Sequence, residues 1–387
     1  MIATKSSINI DLFLENCIEQ KFPFALYKMP NTTQIKLIVS FDKSETRKKI
    51  DFDECGSGFV MAPYDKENEL PYFYKNDFEL DVQDFADIEV PEYLKDKFEL
   101  SNNILSENFS LKAKNDPCDS LSHKKKVESV ITCIQNGEAK KVVLSRKKHL
   151  GEIAENNLIK GFQNLSKSNP SGFVSLVNVP WKNQVWLGAS PEILVSQDEN
   201  GFFKTVSLAG TQSAFDKDGQ EIRPIDALWS HKEIEEQAFV GRYIINCLKK
   251  IRVREFLEEG PKTIKAGNLL HLNTSYTIDT NEINFSNLSS VMLDLLHPTP
   301  AVCGMPKELA EGIIERVEDY DREFYSGYLG PVNIQNRSQL FVNIRTMKIE
   351  NGQVYAFAGG GITEDSDPEK EWNETEIKLQ TILKSFS

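Results

Sequence analysis

The stretch LFVNIRTMKIENGQVYAFAGGGITEDSDPEKEW, residues Leu340–Trp372, carries the densest run of structural signals in the chain. Two apolar segments, Leu340–Ile349 and Gln353–Phe357, flank Asn351-Gly352, the dipeptide that most favours a tight hairpin. Glu350 leaves the loop length open. Ala358–Ile362 (AGGGI) follows the second segment. Three glycines there free backbone N–H groups to approach an anion, although a loop that merely needs positive φ would read the same way. Asp367-Pro368 is a good N-cap and first-turn pair, opening a helix to about Leu383. On that helix Glu371, Glu374 and Lys378 are spaced i, i+3, i+7 and share one face. Two carboxylates so placed suit a hard cation such as Mg2+, and the lysine suits an anion bound to it. A solvated charged face with a Glu374–Lys378 pair is the plainer explanation of the same spacing.

Working outward, the same grammar recurs. Short β-branched or aromatic runs at Lys141–Leu144, Phe173–Val177, Val185–Leu187, Ile193–Val195 and Phe202–Leu208 are separated by turn residues. Helical spacing of Val127, Val130, Ile131 and Ile134 ends at Gly137, and another helix is expected over Ile153–Leu165, before Pro170. Ser230–Glu233 reads as a capping box opening a helix to about Lys250, and Pro306 marks the first turn of a further helix. Residues 1–100 read as strands and loops, and Ser101–Ser120 as a connector. Hairpin-linked strands with intervening helices favour an α+β fold over alternating βαβ units.

The composition narrows the function. With 387 residues, 40% hydrophobic and 27% charged, the chain can build a large core. Its net charge of −13 argues against non-specific nucleic-acid binding. Most of that excess lies in residues 51–100, which carry 15 acidic against 4 basic residues, while residues 101–387 are near balance with 38 against 33. An anionic substrate is therefore not excluded from the later region. Met1–Asn16 lacks the pattern of a secretory signal, and no run reaches the ~18–20 apolar residues of a membrane span. Six scattered cysteines without a CxxC pair point to reduced thiols in a cytoplasmic protein.

Individually, the remaining candidates are weak. Glu192 in GASPE (Gly188–Glu192) lies at a strand end and Lys141 opens another strand; if partly buried they could form an acid and base pair, but both could be surface residues. His271 and His297 lie amid apolar residues, where a satisfied core histidine is the commoner outcome. No HExxH motif appears, which disfavours a zinc hydrolase.

Together the segments resemble the chorismate-utilising enzymes, the isochorismate, salicylate, anthranilate and aminodeoxychorismate synthases. The resemblance spans roughly residues 125–387. It rests on KVVLSR (Lys141–Arg146), GASPE (Gly188–Glu192), LAGT (Leu208–Thr211), KEIEEQ (Lys232–Gln237) and NLLHLNT (Asn268–Thr274). It continues through LHPTPAVCG (Leu296–Gly304), DREFYSG (Asp321–Gly327), NIR (Asn343–Arg345), AGGGI (Ala358–Ile362) and SDPEKEWNET (Ser366–Thr375). It implies an α+β unit with two stacked, mainly antiparallel β-sheets and helices outside, residues 1–120 being a divergent part of the same fold and 121–387 the chorismate-binding region.

Within that family, anthranilate synthases carry glutamine where Lys141 stands, and aminodeoxychorismate synthases carry a nucleophilic lysine where Ala209 stands. The resemblance therefore implies the water-using branch: an isomerase converting chorismate to isochorismate, with salicylate synthase as the nearest alternative. Lys141 would be the general base at C2 and Glu192 the general acid at the C4 hydroxyl. Partial burial shifts a lysine and a carboxyl in the directions those roles need. Mg2+ would be held by Glu236 and Glu371, with Glu374 acting through water. Thr211, His271, Tyr325, Arg345, Gly359, Gly360, Gly361 and Lys378 match substrate-binding positions. The same likeness implies a monomer without a glutamine amidotransferase, serving menaquinone or siderophore synthesis. Gln237 departs from the family histidine after the metal-binding glutamate, with an expected effect on the metal's surroundings. Tyr328 and Pro331 depart near YxGxxGW, with an expected effect on the pocket rim.

Overall fold

Six strands are buried along their whole length rather than alternately, because they are covered on both faces. β2 (Phe24–Lys28), β3 (Ile35–Val39), β5 (Gly58–Ala62), β10 (Phe173–Val179), β11 (Gln184–Ser190) and β17 (Tyr328–Val332) are buried at every residue. A computed structural model describes residues 5–42, 45–83, 85, 87–91, 117–152, 158–267 and 269–383. In it two nine-stranded antiparallel sheets are flanked by helices, an α+β fold.

With strands numbered along the chain, the first sheet runs β16 (Gly304–Met305), β9 (Lys141–Glu152), β20 (Gln353–Ile362), β19 (Thr346–Glu350), β11, β10, β2, β3, β7 (Phe78–Val82). The second runs β14 (Leu257–Ala266), β15 (Leu269–Asp279), β13 (Phe202–Ser213), β12 (Ile193–Gln197), β18 (Ser338–Val342), β17, β5, β6 (Tyr72–Lys75), β4 (Glu45–Thr46). β1 (Lys5–Asn9) and β8 (Asp87–Pro91) form a separate ribbon. The strands of residues 24–39 thus extend one sheet, and those of residues 45–75 the other.

An aromatic layer joins the inner faces. Phe173 of the first sheet stacks on Phe341 of the second at 4.2 Å, and Tyr27 meets Phe59 at 5.6 Å. Outside the first sheet pack α1 (Ile10–Glu19), α3 (Leu158–Ser168) and α7 (Pro368–Leu383). Outside the second pack α4 (His231–Lys250) and α5 (Leu288–Leu296). α2 (Pro117–Gln135) and α6 (Lys307–Val317) share a smaller core with β9. No helix among the described residues is long and apolar enough to cross a membrane.

Several expectations need correction. α1 lies in a region read as strands and loops; Asn9 caps it, its Oδ1 accepting from the amides of Asp11 (2.9 Å) and Leu12 (3.3 Å). α2 starts at Pro117, inside the expected connector, whose residues 101–116 lie outside the described residues. The helix expected from Ile153 is observed from Leu158, residues 153–157 being outside the described ones.

The opening hairpin is tight, with Asn351 (φ 49°) and Gly352 (φ 75°) as its two loop residues and Glu350 paired to Gln353. Its first arm, however, is not one strand. The run breaks at Asn343–Arg345, where the chain passes from β18 in the second sheet to β19 in the first, and Arg345 takes a left-handed φ of 51°. Ala358–Ile362 is likewise not a loop. Gly359, Gly360 and Gly361 continue β20, paired with Ser145, Leu144 and Val143, without positive φ.

Candidate active site

Two crossovers build the centre of the site. β11 passes to β12 through Pro191-Glu192 just as β18 passes to β19 through Asn343–Arg345, each moving from one sheet to the other. The two linkers are bonded side by side. The Val342 amide donates to Glu192 O (3.0 Å), the Ala189 amide donates to Arg345 O (3.0 Å), and Ser190 Oγ donates to Val342 O (2.6 Å). A Cβ at Gly188 would stand 2.9 Å from Thr346 Cβ, so this close approach needs glycine. A carboxyl and a guanidinium are thereby fixed together at the seam between the sheets.

Around them opens a cleft lined from both sheets. Of the residues singled out from sequence, Lys141, Glu192, Thr211, Glu236, His271, Tyr325, Arg345, Gly359, Gly361, Glu374 and Lys378 all line it. Gly360 and Glu371 are not on its wall. His297 belongs elsewhere: it is buried, with Nε2 against the carbonyls of Pro63 and Tyr64 at 3.1 and 3.2 Å. Tyr328 packs edge-on against it at 4.9 Å and lines a different cavity, so the departure at Tyr328 does not touch this rim. Asn268 of NLLHLNT lies outside the described residues.

The electrostatics separate the acid from its surroundings. Glu192 is almost fully buried, and desolvation pushes its carboxyl up to about 8 against the lowering pull of Lys141, Arg345 and Lys378. It is therefore largely protonated at neutral pH. Lys141 is also buried, at the start of β9, and its ammonium has no ion pair within 4.0 Å among the described residues. Burial lowers Arg345 to about 10, which leaves it cationic.

His271, on β15, lies against the bulge of β13, where Gly210 has φ 68°. Burial first, then Arg345, lowers its imidazole to about 3, so it is neutral. Nδ1 donates to Gly210 O at 2.9 Å, which leaves Nε2 as the acceptor facing Arg345 Nη2 at 3.5 Å. Thr211 Oγ1 is 3.3 Å from Nδ1. Tyr325 stacks on Phe357, which stacks in turn on Trp186, so a rigid aromatic pile backs the phenol.

Glycines in β20 make room for the carboxylates. An added Cβ at Gly361 would lie 2.7 Å from Glu236 Oε1 and 2.7 Å from Lys141 Cε; at Gly360 it would lie 3.2 Å from Glu371 Oε2 and 3.7 Å from Glu374 Oε1. The strand is bare because acidic side chains from α4 and α7 cross directly over it. Beyond Ala356 the edge of β20 away from β9 has no strand partner among the described residues, and Lys378 donates to Gly359 O at 2.8 Å.

Among the described residues, no group of three or more His, Cys, Asp or Glu side chains is drawn together as a metal-binding cluster. Lysines stand among the carboxylates instead: Lys232 pairs with Glu371 Oε1 at 2.5 Å and Lys378 with Glu374 Oε1 at 2.6 Å. Burial raises Glu371, whereas Lys378 and Lys232 outweigh desolvation and hold Glu374 down. Glu371 Oε2 remains buried with no hydrogen-bond partner. An orphaned carboxylate oxygen costs a few kcal/mol or more. Glu236 and Glu374 lie over the same glycine floor, and carboxylate oxygens are the donor type that a hard cation such as Mg2+ takes.

Lys232 was not singled out from sequence; its i, i+4 spacing to Glu236 was visible, but its partner lies 139 residues away on α7. Gln237 turns away from the carboxylates. Its side chain donates to Ser207 O (3.1 Å) and Thr274 Oγ1 (2.9 Å) and accepts from the Ala209 amide (3.0 Å), clamping α4 to β13 and β15. A second unforeseen group is the buried pair Arg322–Glu318. Arg322 donates to Val143 O and Val302 O, while Glu318 accepts from the Ser145 amide, tying the β9 wall of the cleft in place.

Two antiparallel sheets thus meet at a cleft that holds a buried carboxyl, an amine and a guanidinium. The chain belongs to the chorismate-binding enzymes, whose family pattern matches residues 79–387. It is 28% identical over 270 residues to isochorismate synthase DhbC of Bacillus subtilis, covering 68% of this chain and 67% of that one. It is 32% identical over 206 residues to isochorismate synthase EntC of Escherichia coli, where the match covers 52% of this chain and about half (51%) of the relative. The solved structure of DhbC from Bacillus anthracis superposes with a TM-score of 0.73 at 25% identity, covering 93% of this chain and 95% of that one. Menaquinone-specific MenF from Escherichia coli shares the fold, with a TM-score of 0.75 at 18% identity and coverage of 99% and 94%.

Proposed function

We propose that the chain is an isochorismate synthase, isomerising chorismate by adding water at C2 and releasing the C4 hydroxyl as water. The observation that carries this reading is a buried carboxylic acid, Glu192, holding its proton to about pH 8 in the same cleft as the buried amine of Lys141. A reaction that takes a proton from one water and gives one to a departing hydroxyl needs such a pair.

The substrate's two carboxylates meet Arg345, Lys378, the Tyr325 phenol and the unpaired edge of β20. Arg345 offers a planar fork for a carboxylate, its orientation supported by neutral His271. Lys141 accepts the proton of the water that attacks C2. Glu192 delivers its proton to the C4 oxygen as that bond breaks. One water enters and one leaves, so the net change is isomerisation. Glu236, Glu371 and Glu374 would hold Mg2+, which when bound supplies charge neutralisation at the substrate carboxylate. Ala209, where a lysine nucleophile would be needed, and Lys141, where ammonia-using relatives carry glutamine, favour water over ammonia. We read the chain as a cytoplasmic enzyme acting alone, in menaquinone or catecholate-siderophore synthesis.

The test is incubation of the purified chain with chorismate and Mg2+, with products separated by chromatography. Isochorismate should accumulate. Salicylate with stoichiometric pyruvate would replace this reading by salicylate synthase, and an ammonium-dependent product would overturn it.

A further inference from the structure

The ion pair between Lys232 and Glu371 has no counterpart in the roles assigned so far. Lys232 is the second residue of α4 and stands four residues before Glu236, so both project from one helical face. Its Nζ nevertheless reaches across to Glu371 Oε1 on α7, at 2.5 Å. The two ends differ in environment: the Glu371 side chain is 2% exposed and that of Lys232 is 28% exposed. The carboxylate is trapped, while the lysine has a route to water.

An ionised carboxylate this deep cannot stand without a positive neighbour. Lysine supplies one as a compact charge on a flexible four-carbon stem, which is easily withdrawn, unlike a planar bidentate arginine. Glu371 Oε2, meanwhile, has no partner, and Glu236 and Glu374 lie over the adjoining glycines. A divalent cation entering this set would meet an ammonium already on Oε1, and two cations on one oxygen repel strongly at low dielectric.

We infer that Lys232 is a displaceable counter-ion, neutralising Glu371 in the metal-free protein and withdrawing toward solvent when a divalent cation occupies the carboxylate set. This rests on the Mg2+-dependent reading above. The lysine keeps the empty site folded and, by competing, weakens metal affinity.

The experiment uses the full chain and Mg2+ alone, without substrate. Thermal unfolding and calorimetric titration are compared for the wild type, Lys232→Met and Lys232→Arg, in EDTA and in Mg2+. The expected result is a Tm for Lys232→Met below wild type in EDTA and recovered by Mg2+, so that its metal-induced rise is the larger. Its Kd for Mg2+ should fall by roughly tenfold or more, while Lys232→Arg, whose guanidinium is harder to withdraw, should bind Mg2+ no more tightly than wild type. A metal-induced rise in Lys232→Met no larger than that of wild type overturns the inference and leaves the metal reading intact. Absence of any Mg2+ binding by the wild type overturns both. Should Lys232→Met fail to fold in either condition, amine-selective labelling of the wild type decides. Modification of Lys232, read by mass spectrometry, should increase with Mg2+; an unchanged or reduced yield refutes displacement.

Discussion

Replacing Gly361 with alanine perturbs the site through a single methyl group. Its Cβ would come within 2.7 Å of both Glu236 Oε1 and Lys141 Cε. Ordinary contact distance is about 3.5 Å, so each group must retreat by about 0.8 Å. Both are ends of flexible side chains, the backbone at Gly361 is an ordinary strand, and its pairing to Val143 can persist. The fold should therefore survive with at most about 1–3 kcal/mol of overpacking cost. The chemistry should not, because displacement of a reacting group by ~1 Å costs on the order of 100-fold in rate. We expect kcat for chorismate conversion to fall by about 10- to 100-fold, with a weaker apparent affinity for Mg2+. Initial rates across a Mg2+ titration, with circular dichroism as the folding check, provide the assay. Gly312→Ala serves as a control: beyond α6's own backbone nothing lies within 4 Å of that Cβ, so it should gain roughly 0.5–1 kcal/mol of stability at an unchanged rate. A Gly361→Ala enzyme within twofold of wild type, with an unmoved Mg2+ midpoint, would refute the placement of Lys141 and Glu236 in the chemistry.

Other perturbations separate the remaining roles. Lys141→Ala should lower kcat by about 10²- to 10⁴-fold while chorismate still binds, measured by equilibrium titration; turnover near wild type would reject the base. The alkaline limb of kcat/KM should fall with an apparent pKa of about 8 as Glu192 loses its proton. Because the folded-state pKa of Glu192 is raised, its contribution to stability is complete below about pH 4.5 and is lost as pH rises through about 8. Glu192→Gln should therefore gain Tm relative to wild type between pH 5 and 9; a pH-independent difference would contradict the buried acid. Arg322→Met, which strands Glu318, should cost roughly 3–5 kcal/mol in urea unfolding, and a loss below about 1 kcal/mol would show that the pair is not anchoring β9.

Local chemistry was readable wherever the signal and its consequence lay close together. The Ser230–Glu233 capping box, the Asn351-Gly352 turn and the Asp367-Pro368 helix start all formed as their residues dictate. What escaped was long-range. Nothing in Leu340–Ile349 marks the break at Arg345, because both halves are equally apolar and the left-handed residue is neither glycine nor asparagine. The glycines of β20 read as a loop because their purpose is to clear space for carboxylates borne on two distant helices. Lys232 and Arg322 were invisible for the same reason. α1 was missed although Asn9 offered a cap, since ten residues carry little periodic signal.

The strand order has a consequence for how the chain comes to be folded at all. In the first sheet β20 and β19 lie between β9 and β11, and in the second β18 and β17 lie between β12 and β5. Every one of those central strands is encoded after residue 327. Until residues 328–362 have left the ribosome, each sheet exists only as two unjoined halves with open hydrogen-bonding edges. Completion then inserts the keystones of both sheets together, through the crossover that carries Arg345. Such non-local closure is slow, and the nascent chain spends that interval exposing edges that a chaperone, or a second nascent copy, could occupy.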